Sequence, residues 1–373
     1  MTNLTITLNT LLAKAFKEAG LEDTNHATAT VSGRPELADY QCNGALALAK
    51  PLGKNPRELA ENIKTKLLEN PQSESVFSEV SLAGPGFINL KLTNSFLQQH
   101  AEDLMQSPTM GVAKVESPHK IMLDYGGPNM GKPMHVGHLR TAIIGESLKR
   151  ILRFKGENVL GDVHFGDWGM PMGMIINQLE FEQPDLPFFE PGRTTDFPKK
   201  SPASIDEIGA LYKRATARGK ESEETKKQMR LTAAALQDGH AGYIALYELL
   251  RATSLKACAE NFKRLDVDFD YWYGEYTVKD MLPEMTKDLL DKKVAVVDNG
   301  AVVTWSSDEN KSPLILEKSD GGYTYSATDI ATIKMRSCDM GITKIVYIAD
   351  NRQAQQFEQV FEAAKAAGYA DGC

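Results

Sequence analysis

The sequence predicts an α/β protein, a parallel sheet with crossover helices preceded by a small α+β unit. Three observations carry this reading. From residue 119 onward, short apolar runs of strand length alternate with runs of helical period, the order that builds parallel sheets. Before residue 112 the order differs, with helical runs first and two strands around a tight turn after them. Between the two lies a stretch rich in Pro, Gly and small residues, 106–118, with the chemistry of a linker. Two units are therefore expected, at 1–112 and 119–373, a division that the length of 373 residues also favours.

Each element has its own signal. Leu4, Leu8, Leu11, Leu12, Ala15 and Phe16 recur at helical spacing until Gly20 stops them. A second helix is expected over 43–49, and Asn55-Pro56 opens a third through Leu59, Ile63 and Leu67. Strands are expected over 76–82 and 87–92, flanking Gly84-Pro85-Gly86. In the second unit, Ile121, Met122 and Leu123 form a strand. The loop 126–133 follows with three Gly and two Pro, and then Leu139, Ile143, Ile144, Leu148, Ile151 and Leu152 mark a helix ending at Gly156. A strand over 158–165 leads into Gly166-Asp167-Trp168-Gly169. Residues 180–265 are Pro-rich and then strongly helical, as an insertion would be. Asn299-Gly300 predicts a hairpin, and Asp320-Gly321-Gly322 another reversal. The sheet pattern resumes over 344–349, and a helix follows through Phe357, Val360, Phe361 and Ala364.

Composition excludes several classes. With 42% hydrophobic and 25% charged residues the chain reads as a globular protein able to bury its own core. No apolar run approaches a bilayer span, and the first residues lack a basic segment followed by an apolar one, which predicts a cytoplasmic protein with no membrane attachment. Cys42, Cys258, Cys338 and Cys373 are scattered, with no metal spacing, and read as reduced thiols. A net charge of −8 argues against sequence-independent coating of nucleic acid but leaves room for a local basic site. The charged residues of 213–230 include three Glu among the bases and read as a solvated helix face.

The strongest chemical signal is DYGGPNMGKPMHVGHLR, residues 124–140. His135 and His138 fall where a strand's C-terminal loop meets a helix N-terminus, the place where open α/β sheets bind ligands and where exposed N–H groups favour anions. Two imidazoles on one turn can donate hydrogen bonds to phosphate oxygens as charge shifts during nucleotidyl transfer. Gly137 is expected to leave room for a flat base, and Lys132 to add a mobile positive charge. A stray H-x-x-H pair is commonly just two surface or core histidines; the Pro/Gly-rich loop between strand and helix favours the functional reading. A third metal ligand is not evident, so no resident metal is expected.

PNMGKPMHVGHLR resembles the HIGH signature of class I aminoacyl-tRNA synthetases in the longer form seen in arginyl-tRNA synthetases. GDWGMPMG at 166–173 is similar to that family's GDWG element, YTYSATDIAT at 323–332 to its Tyr-x-x-x-Asp helix, and IADNRQAQQFEQVF at 348–361 to a segment with a further substrate-binding Gln. DYQCNGALALAK and GPGFINL resemble its extra N-terminal domain. These blocks span nearly the whole chain in the family's order. The resemblance implies a Rossmann-like nucleotide-binding catalytic domain with a helical insertion, preceded by a tRNA-contacting α+β domain. It implies ATP as substrate, Mg²⁺ arriving with ATP, L-arginine and its tRNA as partners, and a monomer.

Carried over position by position, the resemblance implies that His135, Gly137, His138 and Lys132 bind ATP, with His135, His138 and Lys132 serving catalysis. Gly127, Pro128, Asn129 and His138 would line the amino-acid site, and Asp124, Tyr325, Asp329 and Gln353 would receive arginine. A guanidinium needs carboxylate and carbonyl acceptors, so the residue types suit it. Tyr325 and Asp329 lie four apart, on one helical face; the plainer reading makes one a strand-end core residue and the other a helix-end charge. Phe87 and Asn89 match positions that touch the tRNA D-loop, where a stacking ring and an amide suit an unpaired base, though a Phe packed inward at a turn is the simpler alternative. Trp168 and Asp167 read as structural.

The chain departs from the family's pattern at Gly126-Gly127, where Ser-Ser is frequent, and at Pro171, where Gln is common. No KMSK-type loop is found: Lys334-Met335-Arg336-Ser337 falls before the last strand, not after it. That loop and a helical anticodon-binding domain are expected beyond Cys373. Two other readings stay open, another nucleotidyltransferase of the H-x-x-H type and a non-catalytic RNA-binding fragment derived from a synthetase.

Overall fold

The computed structural model describes residues 4–131, 134–308, 310–319, 321–371 and 373. The chain forms two compact units, Met1–Val115 and Glu116–Cys373.

In the first unit the order is α1 (Leu4–Glu18), β1 (Ala29–Val31), β2 (Tyr40–Cys42), α2 (Gly44–Leu52), α3 (Pro56–Glu69), α4 (Ser73–Val76), β3 (Phe77–Ala83), β4 (Phe87–Leu92) and α5 (Asn94–Gln106). The strands form one antiparallel sheet in the order β1-β2-β4-β3. Leu8, Leu12 and Phe16 of α1 and Ile63 and Leu67 of α3 pack on Ile88 and Leu90 of β4, all with no exposed surface. The Asn55 side chain caps α3 by accepting from the Arg57 and Glu58 amides, and Pro56 stands where its missing N–H costs nothing. Helix α5 lies outside the sequence reading: Phe96, Leu97, Ala101 and Leu104 recur at helical spacing, but none of its residues is buried.

The second unit holds β5 (Lys120–Asp124), α6 (Val136–Phe154), β6 (Asn158–Asp162), α7 (Met170–Glu182), α8 (Ile205–Glu221), α9 (Glu223–Gln237) and α10 (Ala241–Arg264). It continues with α11 (Leu282–Asp291), β7 (Val296–Asp298), β8 (Ala301–Thr304), β9 (Leu314–Glu317), α12 (Tyr325–Lys334), β10 (Lys344–Tyr347) and α13 (Ala354–Ala366). Strands β10, β5 and β6 form a parallel sheet with β5 in the middle. A helical layer of α7 to α10 packs around Trp168, Ile175, Ile208, Leu236 and Tyr247. The Asn299-Gly300 turn joins β7 to β8, and β9 completes an antiparallel trio. The second expected reversal is a single bridge from Glu317 to Tyr323; Asp320 lies outside the described residues. Among the described residues no helix is long and apolar enough to cross a membrane.

Two differences from the sequence reading bear on the site. Strand β6 ends at Asp162, short of 165, because His164 takes a left-handed backbone (φ 37°) and the chain then bridges to Tyr271 and Gly274. Helix α6 turns its apolar stripe outward: Ile143, Ile144 and Ile151 are exposed, while Ala142, Gly145, Glu146 and Lys149 face in. The inner face is held by paired charge, Lys149 on Glu146 at 2.9 Å and Tyr125 Oη donating to Glu146 at 3.0 Å. Gly145 makes room for that ring, since a Cβ there would lie 2.2 Å from Tyr125.

Candidate active site

Everything of chemical interest in the second unit gathers at the C-terminal ends of β10, β5 and β6, where an open parallel sheet presents its ligand crevice. Tyr347, Asp124 and Asp162 are the last residues of the three strands. Past β5 the chain stays zipped to the chain past β6: the Tyr125 amide donates to the Asp162 carbonyl, Gly127 to Val163 and Met130 to Gly166. Gly166 is required at that seam, because a Cβ would lie 2.4 Å from Asn129 Oδ1. Gly126 and Gly127 both take positive φ, so a Ser at either would be strained here. Pro128 is buried, with Gly127 and Asn129 exposed on either side of it.

Helix α6 begins where this loop ends. His135 is its N-cap, and its Nδ1 accepts the Gly137 amide at 3.1 Å. His138 Nδ1 accepts the His135 amide at 3.3 Å, and the two rings stack with centroids 3.9 Å apart. With each Nδ1 taken up as an acceptor, Nε2 is the nitrogen of each ring left to donate. The pair is thus two Nε2–H donors set at the positive end of a helix of 19 residues, suited to phosphate oxygens. The space beside Gly137 is filled by the His135 ring, 2.9 Å from where a Cβ would stand, so this glycine serves the histidine pair and not a flat base. Lys132 lies outside the described residues.

Beside the loop lies a buried ionic cluster. Helix α12 runs on into one π-helical turn, Met335–Asp339, which carries Arg336. Its guanidinium has no exposed surface and reaches Asp124 Oδ2 at 2.7 Å, Asp162 Oδ2 at 2.5 Å and the Tyr347 hydroxyl at 3.2 Å. Asp162 Oδ1 accepts the amides of Tyr273 and His164. The His164 ring lies 3.8 Å from Asp162, an ion-pair distance, and neither ring nitrogen has a hydrogen-bond partner among the described residues. Burial opposes charge on His164, but Asp162 and Asp124 outweigh it and raise its pKa to about 9. Burial likewise opposes charge on Asp162, yet His164 and Arg336 hold it down to about 2. Asp124, Asp162 and His164 offer atoms within 4.8 Å of one another, a spacing that suits a metal ion. The guanidinium already bridges the two carboxylates, so the set does not fit a resident cation.

Asp329, on α12, accepts from Gln356 Nε2 at 2.8 Å. Burial pushes its carboxyl up to about 6, with His164 pulling the other way and Asp124 adding to the rise. Tyr325, at the first position of α12, is 61% exposed, so the four-residue spacing sets the two on one helix but in different surroundings. Gln353 is exposed in the turn Asn351–Gln353, and Gln356, one helical turn on, is the glutamine that meets Asp329. Sequence reasoning missed Gln356, Asp162, His164, Arg336 and Tyr347. Asp162 and His164 had a signal in the polar pair that ends a strand just before the Gly166 loop. Arg336 had none, being masked by its place in a helical Lys-Met-Arg-Ser run. Asp167, fully buried, accepts from Arg251 Nε at 2.6 Å and from the Tyr276 amide, an anchor for the loop.

In the first unit, Phe87 and Asn89 border a cavity of about 340 Å³ that Ser32, Arg34 and Gln41 also line. Gln41 Nε2 donates to Asn89 Oδ1 at 2.9 Å across the β2–β4 pair. Asn89 is 6% exposed, and Phe87 is half-buried at the start of β4. Arg34 and Gln41 were not anticipated; a cross-strand partner is invisible until the register is known.

Comparison with known proteins agrees along the whole chain. Residues 100–372 match the family described as tRNA synthetases class I (R), catalytic domain, and residues 7–92 match the arginyl tRNA synthetase N terminal domain. The chain is 38% identical over 362 residues to the arginine–tRNA ligase of Agathobacter rectalis, covering 96% of this chain and 60% of that one. It is 38% identical over 358 residues to that of Francisella tularensis subsp. novicida, covering 96% and 61%. The structure is similar to arginyl-tRNA synthetase from Plasmodium falciparum, with TM-score 0.78 at 26% identity over 100% of this chain and 64% of that one. The Thermus thermophilus arginyl-tRNA synthetase shares the fold, with TM-score 0.68 at 20% identity over 99% of this chain. The chain spans about 60% of the length of the curated relatives it matches.

Proposed function

This chain belongs to the family of class I tRNA synthetases specific for arginine, and on that premise we propose that it carries the arginine- and ATP-binding machinery of an arginine–tRNA ligase. The observation that carries the reading is the pair of Nε2–H donors at the start of α6 beside a buried cluster with a carboxylate, Asp329, raised by burial. ATP brings its phosphates, with Mg²⁺ as part of that substrate, to His135 and His138, and Lys132 adds charge. Asp124, through Oδ1, Asp329, Tyr325 and Gln353 receive arginine, with Gly127, Pro128 and Asn129 lining the site. The arginine carboxylate attacks the α-phosphorus, the pentavalent phosphorus gains negative charge, and the imidazole N–H groups stabilise it as pyrophosphate leaves. No protein nucleophile is required, since positioning and electrostatics suffice. A 3′-terminal ribose hydroxyl of the tRNA, which the cavity at Phe87 and Asn89 helps to hold, then attacks the arginyl carbonyl of the adenylate, forming the ester and releasing AMP.

Catalysis further calls for a mobile lysine loop of KMSK type and a helical domain for the anticodon, as the family's pattern implies. The enzyme works as a cytoplasmic monomer. Calorimetric titration of the chain with L-arginine and with ATP tests the reading directly. Binding of both, with L-lysine excluded, is the expected result; absence of arginine binding would overturn it.

A further inference from the structure

Three carboxylates converge on the crevice, Asp124, Asp162 and Asp329, and left alone they would repel one another and draw protons or any passing cation. Arg336 changes that balance. It takes Oδ2 of both Asp124 and Asp162 from a position with no exposed surface, and its Nε has no partner among the described residues. Anchoring a helix does not call for such a group, because a buried ion pair is seldom more stabilising than apolar packing of the same volume. The guanidinium also enters from a π-helical turn, a backbone irregularity that often marks functional positions.

We propose that Arg336 is a specificity-setting positioning residue of the amino-acid site, neutralising Asp124 and Asp162 so that Asp329 remains the one carboxylate whose charge a ligand must match. The inference rests on the arginine-pocket reading above. With Arg336 and the His164 imidazolium against Asp124, Asp162 and Asp329, these five groups hold one uncompensated negative charge, the complement of one monocation. Glu275, which burial raises to about 7, adds only part of a charge at neutral pH. What the pocket then offers is directional: Asp329, held on one oxygen by Gln356, and the remaining oxygen of Asp124. A planar fork satisfies two separated acceptors and a point-charge ammonium does not. Without Arg336 the same pocket would carry a diffuse excess of negative charge, which attracts an ammonium as readily as a guanidinium. The residue thus works through Asp124 and Asp162 and touches no reacting atom.

The test is calorimetric binding of L-arginine and L-lysine to the 373-residue chain and to Asp329→Asn, Arg336→Met and Arg336→Lys, each checked for folding by circular dichroism. Arg336→Met is expected to lower the preference for arginine over lysine by about tenfold or more, and Arg336→Lys, which keeps the charge, to restore most of it. If Arg336→Met does not fold, the charge-balanced pair Arg336→Met with Asp162→Asn takes its place. That pair removes one charge of each sign, and Asn keeps an oxygen for the Tyr273 and His164 amides. Measured at a pH low enough to keep His164 protonated without Asp162, it should recover the preference. A parent chain that ignores arginine would overturn the pocket reading and this inference together. A parent that binds arginine and loses it in Asp329→Asn, but keeps its full preference in folded Arg336→Met or shows none in the charge-balanced pair, would overturn the inference alone.

Discussion

At Asp329, burial works against the charge that a guanidinium would demand, and the carboxyl is raised to about 6. A cation binds only the ionised form, so arginine affinity should level off above that pH and fall by about tenfold for each unit below it. A flat profile between pH 5 and 7.5 in calorimetry would show that another group meets the ligand. Asp329→Asn should weaken arginine by about 2–5 kcal/mol while ATP binding stays within error, because a buried guanidinium loses its charged partner. Equal shifts for both ligands would make Asp329 structural. His138 offers a second check. Its Nδ1 is committed to the His135 amide, which leaves Nε2–H as the useful donor. Removing it in His138→Ala should slow adenylate formation, followed as ATP–pyrophosphate exchange in the presence of tRNA, by about a hundredfold or more. The two histidines and Asp329 stood out in the sequence because their segments resemble the family's motifs. Arg336 and Gln356 were not, because nothing in a helical Arg or Gln says which side chain it will meet.

Elements decide how accurately those residues are held. Helix α6 carries both histidines, and it packs inward on Tyr125, just past β5, through Gly145 and Glu146, with Lys149 on Glu146 and the Asp268 carbonyl, not through its isoleucines. Gly145→Ala would drive a methyl into the Tyr125 ring inside a close-packed layer, at a cost of about 1–3 kcal/mol. Thermal denaturation should register this as a fall of several degrees, and an unchanged midpoint would show that the ring can move aside. The apolar stripe of α6 misled the sequence reading for a simple reason. Periodicity identifies a helix but not which face turns inward, and here paired charges won the inner face. Strand β4 gives the corresponding case in the first unit. Phe87→Ala with Asn89→Ala should raise the apparent constant for tRNA by the worth of one stacked base, about 1–3 kcal/mol, with ATP binding unaffected. A folded double variant that holds tRNA as the parent does would remove this strand from the reading.

Across the whole molecule, the 373-residue chain should bind arginine and ATP yet fail to charge tRNA. Its Lys-Met-Arg-Ser run, 334–337, is fixed where a helix meets a π-helical turn, with Arg336 wholly buried, so it cannot serve as a mobile loop over the triphosphate. An interaction made only in the transition state can be missing with little effect on ground-state binding. Robust charging of tRNA specific for arginine by this chain alone would refute that view. The sequence by itself determined the α/β class, the order of most elements, the place of His135 and His138 at a helix start and the candidacy of Asp124 and Asp329. Those features are local, set by hydrophobic period, by turn chemistry and by short motifs within one stretch of chain. Only the tertiary structure decided that Arg336 would close on Asp124 and Asp162, that Gln356 would hold Asp329, and that Gln41 would pair with Asn89. Each of these joins residues far apart in sequence, and their meeting is fixed by strand register and helix packing, which no local pattern encodes.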